Sequence, residues 1–244
     1  MSAPLKQSTK NFYERFWKDS LYTLSYSFDS AVRDRYPAIK KVWGDMCLPN
    51  KVLDYGCGNG VLTYWLSCNG FGNEIYGVDV SRTGVNYANK SFIKERLTFT
   101  TLDELPELSI TNFDVTVCSH VLEHIEHPEL ILKGISEKTE WLVLEVPLER
   151  CIWPALASFF LMKTREDNPV GHVNFWNKKT FRAFLAKADL LVVRDYHYVS
   201  APFSPYTHII KRIIELILLK LLGLHIYSKL MVTHYAVLIR KINE

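Results

Sequence analysis

No charge of one sign dominates this chain. Lys and Arg number 29 against 26 Asp and Glu, a net charge of +3. That field is too weak to hold a polyanion, which argues against nucleic acid as a partner. Long basic runs, internal repeats and low-complexity segments are absent, so the chain does not read as a tail or a repeat array. No uninterrupted apolar run approaches the roughly 20 residues that a spanning helix needs. The five cysteines, Cys47, Cys57, Cys68, Cys118 and Cys151, have no metal-ligand spacing. Their odd number, without a secretory leader, predicts a reducing, cytoplasmic compartment. No linker invites a cut, and 244 residues can bury one large core, so one domain over 1–244 is expected.

What is present is sharper. Val52-Leu53-Asp54-Tyr55-Gly56-Cys57-Gly58-Asn59-Gly60 is a short apolar run, an acid and three alternating glycines. The amphipathic stretch Val61 to Leu66 follows, so the segment reads as strand, tight turn, helix. Open α/β sheets bind nucleotides at such a turn, at the carboxyl end of a first strand. The dinucleotide fingerprint needs its third glycine where Val61 stands, which disfavours a nicotinamide oxidoreductase. A second buried run, Glu74 to Val80, ends in Asp79. That acid lies about 20 residues past the glycines, where a carboxylate accepts from ribose hydroxyls; a helix cap by Asp79 or Ser81 is the alternative. Further strands are expected within Leu97–Pro106, in the apolar run that opens Phe113–Ile125, and over Trp141–Pro147, Leu190–Tyr198 and Val232–Lys241, alternating with helical stretches through Val146. Such alternation predicts a parallel sheet with crossover helices. Helices are also expected over Asn11–Asp19, Ser30–Met46, Arg82–Arg96 and Lys178–Ala188, the last capped by Asn177.

The G-x-G-x-G turn after Asp54 resembles motif I of the class I S-adenosylmethionine (SAM) dependent methyltransferases. Ser119-His120-Val121-Leu122-Glu123-His124 resembles the segment after strand four in small-molecule members, including the ubiquinone-pathway O-methyltransferases. The resemblance runs from about Val52 to Leu190. It implies a Rossmann-like α/β fold with a seven-stranded, mostly parallel sheet, an antiparallel last strand and helices on both faces. It implies SAM as cofactor, bound by Tyr13, Asp54, Gly56, Cys57, Gly58, Gly60, Asp79, Val80, Thr101, Leu102, Asp103, Ser119 and His120. Within that set Asp54 suits the methionine ammonium and the Leu102 amide suits the adenine ring. Thr101 stands where the family usually has an acid, so either Thr101 or Asp103 would meet the adenine amino group. Tyr13 and Trp17 lie on a leading helical segment, 1–48, expected to act as a lid.

Transfer to a hydroxyl needs a base. The candidates are His124 first, then His120, His172 and Glu145. His120-x-x-Glu123-His124 also matches a zinc-protease pattern, but it directly follows a strand and Pro128 limits any helix there. Some ubiquinone-pathway relatives carry Glu-x-x-Glu-His here and use a divalent ion. His120 replaces the first acid, which leaves the metal open.

Two insertions, 148–176 and 205–229, are expected to carry substrate or interface contacts. The first contains an apolar stretch, Ile152 to Met162, and ends in His172-Val173-Asn174-Phe175-Trp176. The second contains the very apolar helix 209–222, with Lys211, Arg212 and Glu215 on one face. Burial in the core or against a second copy is expected, with an in-plane membrane helix and a snorkelling Lys220 as the alternative. The function expected is methyl transfer to a small molecule or a glycan or lipid-linked acceptor at oxygen, in the cytoplasm or on the inner membrane face. The alternatives are a quinone-pathway enzyme acting on a membrane-dissolved phenol and a silent fold serving as a partner subunit.

Overall fold

The computed structural model describes residues 7–19, 22–105, 112–155 and 171–241. Seven strands form one sheet: β1 (Lys51–Tyr55), β2 (Glu74–Asp79), β3 (Leu97–Thr101), β4 (Phe113–Ser119), β5 (Thr139–Leu148), β6 (Leu190–Tyr198) and β7 (Thr233–Lys241), in the order β3-β2-β1-β4-β5-β7-β6. β1 pairs in parallel with both β2 and β4, and β7 runs antiparallel between β5 and β6. The strand order therefore reverses between β1 and β4, where an open sheet leaves a crevice at its carboxyl ends. This is the expected fold class.

Adjacent strand residues point to opposite faces, and each face has its own core. Val52, Val115, Val117 and Val143 pack with helices α3 (Tyr36–Trp43), α4 (Val61–Cys68) and α5 (Arg82–Ser91). Leu53, Cys118, Leu142 and Leu144 pack with α6 (Pro128–Ser136) and α7 (Lys178–Lys187). Burial on both faces explains why the central strands read as continuous apolar runs rather than alternating ones. Asn177 caps α7 in a reciprocal box with Thr180, as expected. Ser81, not Asp79, caps α5, accepting from the Gly84 N–H, which leaves Asp79 for other partners. α5 stops at Ser91, short of the expected Arg96.

The leading segment differs from expectation in its bounds. α1 spans Gln7–Asp19 and α2 spans Tyr22–Ser30, followed by a π-helical turn, Ala31–Arg35, that runs into α3. Glu14 fastens α1 onto the sheet: its carboxylate accepts from the N–H groups of Arg82 and Thr83 and from the Ser81 hydroxyl. Those donors open α5, where a carboxylate also meets the positive end of the helix dipole.

Gly60 shows how tightly the turn is packed. Its φ is +79°, and a Cβ there would lie 2.6 Å from Ala88 Cβ and 2.7 Å from Phe99 Cε1. Gly60→Ala combines left-handed strain with overpacking, each costing about 1–2 kcal/mol. Chemical denaturation should show a loss of about 3 kcal/mol, and a loss below about 0.5 kcal/mol would refute this packing.

The helix α8 (Ile209–Leu230) corrects the expectation of core burial. Only Glu215 and Tyr227 on it are buried. Gly223 interrupts it with φ 67° and ψ 164°, and the Tyr227 hydroxyl donates to Glu215 Oε2 at 3.1 Å. A straight helix would separate residues 12 apart by about 18 Å, so the Gly223 kink turns the second half back on the first. No described helix is long and apolar enough to cross a membrane. The apolar stretch expected over 152–162 lies outside the described residues beyond 155.

Candidate active site

A cavity of about 410 Å³ opens over the crevice between β1 and β4. The glycine turn forms its floor. The Gly56 and Cys57 N–H groups both donate to the Val78 carbonyl, tying the turn to β2. Trp17 from α1 lies on the turn so closely that a Cβ on Gly58, at φ +55°, would sit 2.3 Å from its Cζ2. Only a glycine admits that contact. Tyr13, Phe16 and Trp17 line the cavity from α1, and the Tyr13 hydroxyl is buried without a hydrogen-bond partner.

The expected cofactor residues separate into two groups. Tyr13, Gly56, Cys57, Gly58, Asp79, Val80, Leu102, Ser119 and His120 line the cavity. Asp54, Gly60, Thr101 and Asp103 do not. Asp54 lies behind the turn, 1% exposed, where its Oδ2 accepts from the Thr63 hydroxyl at 2.6 Å and joins the end of β1 to α4. Asp103 is exposed and pairs with Lys10 at 2.9 Å. Thr101 keeps a buried, unpartnered hydroxyl. The Leu102 amide is already committed, donating to the Asp79 carbonyl at 3.0 Å, so the side chain rather than the amide is what Leu102 offers the cavity.

Asp79 accepts from the Gly58 N–H through Oδ2 and from the Ser81 N–H through Oδ1, each at 2.8 Å. A carboxylate has about four lone-pair sites, so each oxygen keeps one for a ligand. Burial pushes its pKa up to about 6, with the two amide bonds resisting. The same burial holds the Cys57 thiol well above its usual range.

His120 departs most from the sequence reading. It has φ +57°, held by its N–H donating to the Glu145 carbonyl. Its Nδ1 lies 3.3 Å from Glu123 and its Nε2 3.4 Å from Glu145, both fully buried carboxylates. Burial alone would lower the imidazole, but pairing with the two acids wins and raises it to about 9. The same pairing overcomes burial at Glu123, lowered to about 2, and brings Glu145 well below the carboxylate range. His120 is therefore an imidazolium near neutrality, with no lone pair for a proton. Glu145 accepts from the Ser119 and Tyr198 hydroxyls as well, and its side chain does not line the cavity. Neither residue fits a base.

His124 and His172 both line the cavity, with rings 4.7 Å apart. His124 ends the short 3₁₀ turn Leu122–His124. Its Nδ1 is 3.4 Å from the Gly171 carbonyl and its Nε2 is 4.0 Å from Glu123. Burial lowers its pKa, so the ring is neutral, but both nitrogens face protein groups. His172 differs: Glu149 Oε2 holds its Nδ1 at 2.7 Å. A carboxylate on Nδ1 fixes the tautomer with Nε2 as the acceptor. The loop carrying His172 is pinned to the 3₁₀ turn, since Val173 and Asn174 N–H donate to the Glu123 carbonyl and Asn174 Nδ2 donates to the Leu122 and Ile125 carbonyls.

Arg35, Glu149, Tyr198, Ser200 and His234 also line the cavity and were missed by the sequence reading. Arg35 donates to the Ser119 hydroxyl and carbonyl. No spacing signals these residues as a set, because Arg35, Glu149 and His234 come from distant parts of the chain and Tyr198 and Ser200 from the end of β6. Among the described residues, ligand atoms of Glu123, His124 and His172 lie within 4.8 Å of one another, as do those of His120, Glu145 and His234. The first set has the donor chemistry of a divalent site; the second is centred on the His120 imidazolium. The two histidines of the H-x-x-E-H pattern thus belong to different clusters, which disfavours zinc proteolysis.

A model of a methyltransferase domain family matches residues 22–194. The chain belongs to the class I SAM-dependent methyltransferases. A mitochondrial ubiquinone biosynthesis O-methyltransferase of Candida albicans is 30% identical over 103 residues, 38% of this chain and 31% of that one. The match thus spans about a third of that relative. Among solved structures, an Anabaena variabilis SAM-dependent methyltransferase aligns at TM-score 0.64 and 15% identity, covering 98% of both chains. The N-methyltransferase NodS from Bradyrhizobium japonicum WM9, bound to S-adenosyl-L-homocysteine, aligns at 0.62 and 14% identity, covering 96% of this chain and 99% of that one. These likenesses establish the fold of the methyltransferase, and its cofactor is SAM. The cavity suits that cofactor: a half-satisfied carboxylate at Asp79, an unpartnered Tyr13 hydroxyl, and apolar walls at Val80 and Leu102.

Proposed function

We propose that this methyltransferase acts on a hydroxyl oxygen of a small-molecule, glycan or lipid-linked acceptor, with His172 as the proton acceptor. The observation that carries this reading is the 2.7 Å pairing of His172 with Glu149 at the cavity wall. Asp79 would accept from both ribose hydroxyls, Val80 and Leu102 would flank the adenine, and Tyr13 and Trp17 would cover the methionine end. The cofactor supplies a methyl on a sulfonium, already activated for in-line displacement. The chain's own residues then have three tasks: to align the acceptor oxygen, to exclude water and to take the proton. α1 serves the second task by covering the glycine turn. Glu149 holds His172 in the tautomer whose Nε2 accepts the proton, and stabilises the imidazolium that results. His120, already charged, leaves its own proton between Glu123 and Glu145 and braces the segment after β4. The test is product formation: S-adenosylhomocysteine release with phenol, sugar and polyprenyl-linked hydroxyl acceptors, run beside amine acceptors. Turnover on amines alone would overturn the oxygen assignment.

Asp79 makes SAM binding sensitive to acid. Its carboxylate must be ionised to accept from two hydroxyls, and its pKa is raised to about 6. Above that pH affinity should be flat. Below it each pH unit should cost about tenfold, so titration calorimetry at pH 5 should give about tenfold weaker binding than at pH 7.5. A flat profile down to pH 5 would reject the ribose role.

A further inference from the structure

α8 presents an apolar surface that the fold does not use. Ile210 is 61% exposed, Ile214 51% and Leu221 75%, and Ile213 and Ile217 are also exposed. Phe203 and Tyr206, just before the helix, add exposed aromatic surface. A contiguous apolar face of this kind marks a binding surface rather than ordinary exposure. The charges on the helix are one-sided. Lys211, Lys220 and Lys229 are exposed and Arg212 is half-buried. The only acid between Ile209 and Leu230, Glu215, is 2% exposed and bonded to Tyr227; Lys211 lies 3.7 Å from it. The Gly223 kink thus buries the one negative charge against Tyr227 and pairs it with Lys211, and it leaves the exposed Lys220 and Lys229 beside the apolar side chains.

We infer that α8 docks the enzyme in the plane of an anionic lipid bilayer. Isoleucine and leucine side chains would enter the acyl boundary, Phe203 and Tyr206 would sit at headgroup depth, and the lysines would meet lipid phosphates. A second copy fits less well, because a two-fold contact would bring each basic flank against its own image. The surface is continuous with the cavity. Val232, two residues past the helix, lines it, as does Ser200, whose hydroxyl is shared by Arg33 and Asp34. Arg33 also donates to the Phe203 carbonyl at 2.9 Å, and Tyr206 meets the cavity residue Tyr26 edge-on at 5.5 Å. A docked helix would therefore hold the cavity close to the bilayer surface.

Vesicle flotation tests this with the full chain. Wild type should partition onto phosphatidylglycerol–phosphatidylcholine vesicles at low salt, bind pure phosphatidylcholine far less, and be released by 0.5 M salt on the order of a Debye length of a few Å. Lys220→Gln/Lys229→Gln should bind the anionic vesicles about 25-fold more weakly, at roughly fivefold per charge. Ile213→Ser/Ile217→Ser/Leu221→Ser should also lose binding. Calorimetric S-adenosylhomocysteine affinity should stay unchanged in both variants, which separates lost docking from lost fold and from failure of the cofactor site. Equal binding of wild type and the lysine variant would overturn the proposal. So would a wild type that ignores anionic vesicles, or one that light scattering shows as a dimer dissolved by the isoleucine changes.

Discussion

His172→Ala should lower kcat by about 10²–10⁴-fold while S-adenosylhomocysteine affinity stays nearly unchanged. That range is what a positioned base contributes to proton transfer. His120 is charged between two buried acids, and Glu145 is enclosed by Ser119, Tyr198 and His120. His124 directs both ring nitrogens at protein groups. His172 lines the cavity with a single ring nitrogen, Nδ1, held at hydrogen-bond distance by a carboxylate, Glu149 Oε2 at 2.7 Å. Glu149→Gln should reproduce part of the loss in kcat, because a neutral amide holds the His172 ring less firmly than the carboxylate does. His124→Ala should cost less than His172→Ala. An equal loss in both would return the role to the pair, and a loss in His124→Ala alone would return it to His124. Chelation discriminates the remaining alternative. If EDTA abolishes turnover and a divalent ion restores it, the Glu123–His124–His172 cluster acts through a metal instead of through a free imidazole.

Asp79→Ala should weaken SAM binding by about 10²-fold or more. Two hydrogen bonds from ribose hydroxyls to a charged acceptor contribute about 1.5–3 kcal/mol each, and the change also leaves the Gly58 and Ser81 amides without their acceptor. Asp79→Asn separates these effects. The amide keeps one acceptor oxygen in nearly the same volume, so it should retain the fold and lose only part of the affinity, and its binding should no longer fall between pH 7.5 and pH 5. Calorimetry on both variants, with thermal melts as the control for folding, checks this. Wild-type affinity in Asp79→Ala would remove Asp79 from the site.

The fold was legible because its signals are local. Continuous apolar runs bounded by turn residues specify buried parallel strands, and three glycines after Asp54 specify a turn with backbone exposed on one side. Asp79 lines the cavity, as its distance along the chain suggests, since the β1–α4–β2 unit has a nearly fixed length. Asp54 does not. It occupies the same kind of position at a strand end, but the pleat turns it toward Thr63 and away from the cavity, and a single-residue step on a strand decides which face a side chain meets. The segment Ser119 to His124 shows the same division. Its composition announced a site, while the left-handed backbone at His120 and the partners from β5 decided which histidine is charged.

By itself the sequence determined the alternation of strands and helices, the glycine turn and the apolar character of the 209–222 helix. Tertiary structure alone decided three things. It brought Glu149 to His172, 23 residues apart along the chain. It set His120 between Glu123 and Glu145, and it turned Glu215 inward at the Gly223 kink. Each of these depends on through-space distances of 2.7 to 3.4 Å that the path of the backbone sets. Hydrophobic periodicity carries no information about such contacts, because it records which face is buried and not what lies across from it.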